Sequence, residues 1–222
     1  MRNLLAVGLS TAVANSAVAG PITWTDWTSA TTGSSGSAAG TLGAITVGFT
    51  GELSGNTQVA GGINYWVPNA PYLNAVVGNA PPAADILTSV GGSPTITYTI
   101  TFSQAVQNPV LAVLSLGAPG TPRTLQFDQP FTLLSSGTGY WGGAEPDSLF
   151  QAGNILTGIE GHGVIQFNGT FTSLSWKNPT FENWSGIQVG LPEQLVGAVP
   201  APPAVVLLGI GAVGLLRVRR RA

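Results

Sequence analysis

Between residues 20 and 190 the chain nowhere sustains the apolar period of about 3.6 residues that an amphipathic helix needs; its apolar residues come in short runs cut by glycine and proline. With 31 glycines and 16 prolines lying mostly between those runs, long helices have little room. Thr95 to Phe102 alternates threonine with Ile96, Tyr98, Ile100 and Phe102, which places the large residues on one face of a strand and that face in a core. Pro109 to Leu116 is a shorter, more continuously apolar run that ends at Gly117, as expected of a central strand with proline tolerated only at its entrance. Val164–Phe167 and Thr170–Trp176 are separated by Asn168-Gly169, a pair that accepts positive φ at both central positions of a type I′ turn, so a hairpin is expected there.

Further strands are expected over Ile22–Trp27, Ala44–Thr50, Thr124–Phe127, Phe131–Leu134 and Trp184–Val189. About nine short strands with frequent turn signals predict an all-β chain, an antiparallel β-sandwich or jelly roll over residues 20–190. Ser29 to Gly43 consists almost wholly of small residues and reads as a flexible loop. Pro68 to Pro94 is a long Pro-, Asn- and Ala-rich excursion, and its length points to a short helix within it over Ala83–Val90. Residues 191–198 have no period and read as a linker.

The two ends have a different character. Arg2, an apolar stretch from Leu4 to Val13, and Ala17-Val18-Ala19 form the three parts of a secretory signal peptide over residues 1–19, with cleavage expected after Ala19. At the other end, Val199-Pro200-Ala201-Pro202-Pro203 leads into an apolar run from Ala204 to Leu216, followed by Arg217, Val218, Arg219, Arg220 and Arg221. Arginine is retained on the cytoplasmic side of a bilayer, so this order halts a chain during export and puts the body on the far side. A helix over 204–216 spans about 20 Å against a hydrocarbon core of about 30 Å, and Gly209, Gly211 and Gly214 allow another helix to approach closely.

With the terminal arginines set aside, Arg123 and Lys177 remain against nine acidic residues, a body charge of about −7 that repels phosphate backbones and argues against nucleic acid as a partner. There is no cysteine and one histidine, which removes thiolate and multi-histidine zinc sites, and no cofactor or metal is expected. A body of this size can build a core without disulfides.

Residues 199–222 resemble the PEP-CTERM sorting segment of exported bacterial proteins, with Ala201 where that family usually carries an acidic residue. The resemblance implies that Val199, Pro200, Ala201, Pro202 and Pro203 form the sorting motif and Arg217, Arg219, Arg220 and Arg221 the retention cluster. It also implies a transient inner-membrane anchor, an exosortase-like processing enzyme as partner, and a destination at the cell surface or outside the cell. Bodies of that family are commonly β-rich and belong to bacteria that make extracellular polysaccharide, a further candidate partner. An ordinary single-span transmembrane anchor that is never processed has the same hydropathy and flanking charge.

Within the body, Tyr140 and Trp141 sit between glycines, and Tyr65-Trp66 precede Pro68. Exposed on a sandwich, Tyr140, Trp141 and Trp66 could stack on sugar rings; buried, they would be core. Trp176 and Trp184 are expected to cap the core. Glu160-Gly161-His162-Gly163 puts a carboxylate two residues from the sole histidine, but the flanking glycines favour a tight turn over acid–base work. Glu145-Pro146-Asp147 is the other acidic cluster, without the spacing of an EF-hand calcium loop. No G-x-S-x-G elbow, phosphate-binding loop or dinucleotide fingerprint occurs. The primary expectation is a non-catalytic exported surface or matrix-associated protein with a structural or binding role. The alternatives are a carbohydrate-binding module and a secreted glycosidase or polysaccharide lyase that uses Glu145, Asp147 or Glu160.

Overall fold

The structure is a computed structural model that describes residues 19–143 and 148–193. The signal peptide, Glu145 and Asp147, the sorting motif and the retention cluster therefore lie outside the described residues, apart from Ala19. The described chain is all-β and forms one antiparallel hydrogen-bonded sheet. Its strands are β1 (Ile22–Trp24), β2 (Asp26–Thr31), β3 (Gly33–Leu42), β4 (Ile45–Leu53), β5 (Leu87–Gln107) and β6 (Val110–Leu116), then β7 (Arg123–Phe127), β8 (Thr132–Gly137), β9 (Leu149–Ala152), β10 (Ile155–Gly158), β11 (Gly161–Gln166) and β12 (Thr170–Pro192).

The main path runs β2-β3-β4-β5-β12-β6-β11-β8. A branch leaves β12 at Trp176 and Lys177 through β7, which pairs with β10, which pairs with β9. β1 lies along the far end of β12, with Ile22 opposite Pro192, so the first and last described strands meet. β12 thus continues two residues into the segment expected to be linker.

The alternating and apolar runs behave as their patterns dictate. Tyr98, Ile100 and Phe102 are buried and Ile96 packs against the same core, while Thr95, Thr97 and Thr101 face out. Every residue of β6 is buried, because the strand has a core on each face. Leu111, Val113 and Leu116 join the main cluster with Phe49, Tyr98, Phe127, Phe167 and Trp176. Val110, Ala112 and Leu114 join a second cluster, with Trp24, Trp66, Tyr72 and Ile86, beneath the segment that links β4 to β5.

Four expectations are corrected. Residues 29–43 are not a loop: they form most of β2 and β3, with β3 paired on both sides. Gly36, Ala38, Gly40 and Leu42 alternate inward, and a Cβ on Gly40 would fall 2.4 Å from the Asp26 carbonyl oxygen. Small residues let these backbones approach, so a stretch poor in strand formers is held by its neighbours.

The expected hairpin does not form either. β11 pairs with β6 and β8, whereas β12 begins against β5, with Thr170 opposite Gln107. Asn168-Gly169 is instead one of two corners clasped together: Asn108 N–H donates to the Gly169 carbonyl and Gly169 N–H to Asn108 Oδ1, each at 2.8 Å. Gly169 has φ +131° and Asn108 φ +49°. The dipeptide supplied the backbone freedom of a turn, but partner choice was set by β6 and β12 inserting between the neighbours in sequence.

The helix expected over Ala83–Val90 is absent; a single 3₁₀ turn occurs at Ala70–Tyr72 and β5 begins at Leu87. Finally, the two strands expected over Thr170–Trp176 and Trp184–Val189 are one strand. β12 passes Pro179 where its register against β5 shifts, and β5 accommodates the bulge with Gly91 and Gly92 at φ +63° and +86°. Among the described residues no helix is long and apolar enough to cross a membrane.

Candidate functional site

Tyr140 and Trp141 form the tip of a two-residue turn closed by reciprocal backbone bonds between Gly139 and Gly142, at 2.7 and 3.1 Å. They are 42% and 45% exposed, the level needed to offer a ring to a ligand. The turn does not project freely. Tyr65 stacks on Trp141 with ring centroids 5.1 Å apart and planes at 25°. Trp184 from β12 meets Trp141 edge-on at 4.8 Å, and Tyr140 packs edge-on against both Trp141, at 4.7 Å, and Tyr65, at 5.1 Å. Four rings from three distant segments make one supported aromatic surface, and such edge and stacked contacts hold rings in fixed orientations.

Trp66 is not part of that surface. It is 1% exposed, its Nε1–H donates to the Asp85 carbonyl at 3.3 Å, and its ring packs edge-on against Tyr72. Tyr65 is half-buried and packs on the outside of the second core, whereas Trp66 fills its interior. Trp184, expected to cap the core, does pack on the second cluster, yet it also completes the surface. Tyr65 shared the aromatic-pair signal of Tyr65-Trp66, whereas Trp184 carried no sequence signal for that role beyond being aromatic.

The aromatic turn is seated on a buried polar group. A Cβ on Gly139 would lie 2.2 Å from Cγ of His162, and one on Gly143 would lie 2.6 Å from the Glu160 carbonyl oxygen, so both glycines are needed for close approach. His162 lies in β11 rather than in a turn and is fully buried. Its Nδ1 accepts from Ser115 N–H at 3.3 Å and contacts the Tyr72 hydroxyl at 3.1 Å. Its Nε2 has no hydrogen-bond partner and lies 3.5 Å from Glu160 Oε1. Ser115 Oγ–H donates to that same oxygen at 2.5 Å.

A bulge creates this arrangement. Between the pairs Gly161–Leu116 and Gly163–Val113, β6 supplies one residue more than β11. Ser115 and Glu160 take φ of +54° and +56°, a region uncommon for residues other than glycine. Burial, reinforced by the negative Glu160, pushes the Tyr72 hydroxyl well above the usual phenol range, so it remains a neutral partner of the imidazole.

A second polar group lies on the other side of Glu160. Arg123 is completely buried; its Nη1–H donates to Glu182 Oε2 at 2.9 Å and its Nε–H to Asn178 Oδ1 at 2.9 Å. Glu182 also accepts from Gly117 N–H. Burial raises the Glu182 carboxyl above the ordinary range despite those donors, with Glu160 adding to the rise. Glu52 forms the far end, accepting from Tyr98 O–H at 3.0 Å and from the N–H groups of Val90 and Gly91.

Among the described residues no group of three His, Cys, Asp or Glu could hold a metal ion. A separate hollow of about 340 Å³ over β2 to β5 is lined by Ser29, Thr31, Ser37, Thr50 and Thr101 with Phe49 and small residues, and carries no ionisable group. The described residues thus form an all-β body with a half-exposed aromatic surface and two half-buried carboxylates, Glu160 and Glu182, close to it. No family model matches the sequence, and no curated protein or solved structure is significantly similar to it.

Proposed function

We propose that this chain is an exported bacterial surface or matrix-associated protein whose body is a β-sandwich that binds carbohydrate without catalysis. The observation that carries the binding role is the exposure of Tyr140 and Trp141 on a base formed by Tyr65 and Trp184. Aromatic faces held in place lose little freedom on stacking against the apolar face of a pyranose. The sandwich reading is supported by the main core, a single buried apolar cluster to which strands across the sheet contribute, from Leu42 of β3 to Ile165 of β11.

Hydrolysis is the weaker reading because the described carboxylates near the surface are already committed. Glu182 is bonded to Arg123 and Gly117, and Glu160 to Ser115. A glycosidase pair must reach the scissile bond from two sides. A glycan array probed with the purified protein and with Trp141→Ala tests the binding role. The wild type is expected to retain a defined set of glycans and the variant to lose them; retention of no glycan by the wild type rejects the reading.

Export and sorting rest on the residues at the two ends: the signal-peptide pattern of residues 1–19, and the Val199–Pro203 motif, apolar run and arginine cluster of residues 199–222. The intact mass of the protein isolated from its host should correspond to a chain that starts at Gly20 and ends before Leu216. A mature chain that retains Arg217 to Arg221 would contradict removal of the tail by an exosortase-like enzyme.

A further inference from the structure

The charged groups near the aromatic surface sum to a net negative charge: two carboxylates, Glu160 and Glu182, against one buried cation, Arg123. Burial alternates between exposed and half-buried over Phe181 to Trp184, so Glu182 and Trp184 face the same side of β12. Gly139 and Gly143, which bracket Trp141, rest on His162 and on the backbone of Glu160. Of the two carboxylates, Glu182 is balanced by Arg123 at 2.9 Å. Glu160 has no cation of comparable closeness: it receives a hydroxyl proton from Ser115 and stands 3.5 Å from His162 Nε2. Arg123 is fully buried, and the other described cation, Lys177, lies opposite Thr97 and Gln126, seven residues before Trp184 along β12. Nothing described at the surface repels a cation, and the body as a whole is strongly acidic.

Exposed indole and phenol faces attract ammonium groups through their negative quadrupoles, most strongly where solvent is partly excluded. A carboxylate behind the rings adds to that attraction, and the same field opposes uronic acids or sulfated sugars. We propose that the aromatic surface selects a cationic glycan, a chain of amino sugars with free amines, over neutral or acidic chains. The proposal rests on the carbohydrate-binding role argued above and specifies its ligand class. Tyr140 and Trp141 stack on the sugar rings, and an ammonium group lies toward the Glu160 side of the turn.

The test is calorimetric titration of the protein with four six-residue oligosaccharides, at a mildly acidic pH that protonates free amines: glucosamine, N-acetylglucosamine, glucose and galacturonic acid. The glucosamine oligomer should bind at least tenfold more tightly than the N-acetylated one, and the galacturonate oligomer most weakly. In about 1 M salt, where the Debye length is about 3 Å, the advantage should largely vanish. Glu160→Gln should lower affinity for the glucosamine oligomer by a larger factor than for the N-acetylated one, and Trp141→Ala should weaken both to a similar extent. Because Glu160 also supports the turn, the salt dependence of the wild type stands as an independent readout. Equal binding of the glucosamine and N-acetylglucosamine oligomers, or preference for galacturonate, overturns the charge selectivity and leaves the aromatic platform standing. Absence of binding to all four overturns both.

Discussion

Arg123→Ala should destabilise the protein by about 3–5 kcal/mol in chemical denaturation, the range for removing one member of a buried ion pair. The guanidinium is fully buried between β5, β7 and β12, and its donors reach Asn178 Oδ1, Glu182 Oε2, Ser185 Oγ and, at 3.5 Å, the Ser89 carbonyl. One nitrogen, Nη2, has no partner and is directed at Gly91, where a Cβ would stand 2.4 Å from it. Truncation leaves Glu182 half-buried without its cation and Asn178 without its donor. The cost therefore comes from orphaned partners more than from lost attraction. If that is correct, the double variant Arg123→Met with Glu182→Leu should recover a large part of the loss, since apolar replacement of a buried pair is often close to neutral. A loss below about 1 kcal/mol for Arg123→Ala would show that the pair is hydrated and surface-like.

Trp176→Ala is expected to cost about 3–5 kcal/mol by the same measurement, the range for deleting a large buried aromatic. Trp176 is 2% exposed and sits where β12 is flanked by β5 on one side and β7 on the other, opposite Tyr98 and Phe127. Its ring is stacked on Tyr98 at 5.6 Å and 15°, and lies 6.1 and 5.8 Å from Phe49 and Phe127. No single neighbour can fill the void, because Tyr98 is held by its hydroxyl bond to Glu52. Trp176→Phe should recover more than half of the loss. A Trp176→Ala cost near that of an exposed site, about 0.5 kcal/mol, would mean that the main core is not assembled around this residue.

What could be read from the sequence was the part that depends on one strand at a time. The threonine alternation of Thr95–Phe102 identifies its buried face because side-chain direction in a strand has a period of two, whatever the neighbours. The apolar run of Val110–Leu116, interrupted only by Ser115, likewise calls for cover on both faces. Partner choice was not local. Asn168-Gly169 has the conformational freedom of a hairpin turn, yet β11 and β12 each find other neighbours, and nothing in the dipeptide distinguishes a hairpin from a corner that crosses another strand. Gly36, Ala38 and Gly40 look like loop residues because a strand's signature is its side chains, and these have almost none to show; the close approach of Asp26 and Gly51 uses that lack.

The candidate site was legible in half. Tyr140-Trp141 between glycines marked a turn that displays aromatics, and the structure places them there. Tyr65 and Trp66 are adjacent aromatics, and nothing in the sequence says which of the two the segment turns into the core. Trp184 and Glu182 reach the site because β12 runs on past Pro179, a break that a single-strand reading takes as an end. Glu160-Gly161-His162-Gly163 looked like a turn, and its glycines do lie close to other backbone: a Cβ on Gly163 would fall 2.0 Å from the Ser135 carbonyl oxygen. That crowding reflects strand packing rather than a turn.

The most direct measurement of the central claim is a crystal structure of the protein with a bound amino-sugar oligosaccharide. A pyranose ring is expected to lie against Trp141 at about 4 Å, with Tyr140 against the next ring. A sugar found in the hollow over β2 to β5, or anywhere that leaves Tyr140 and Trp141 bare, would contradict it.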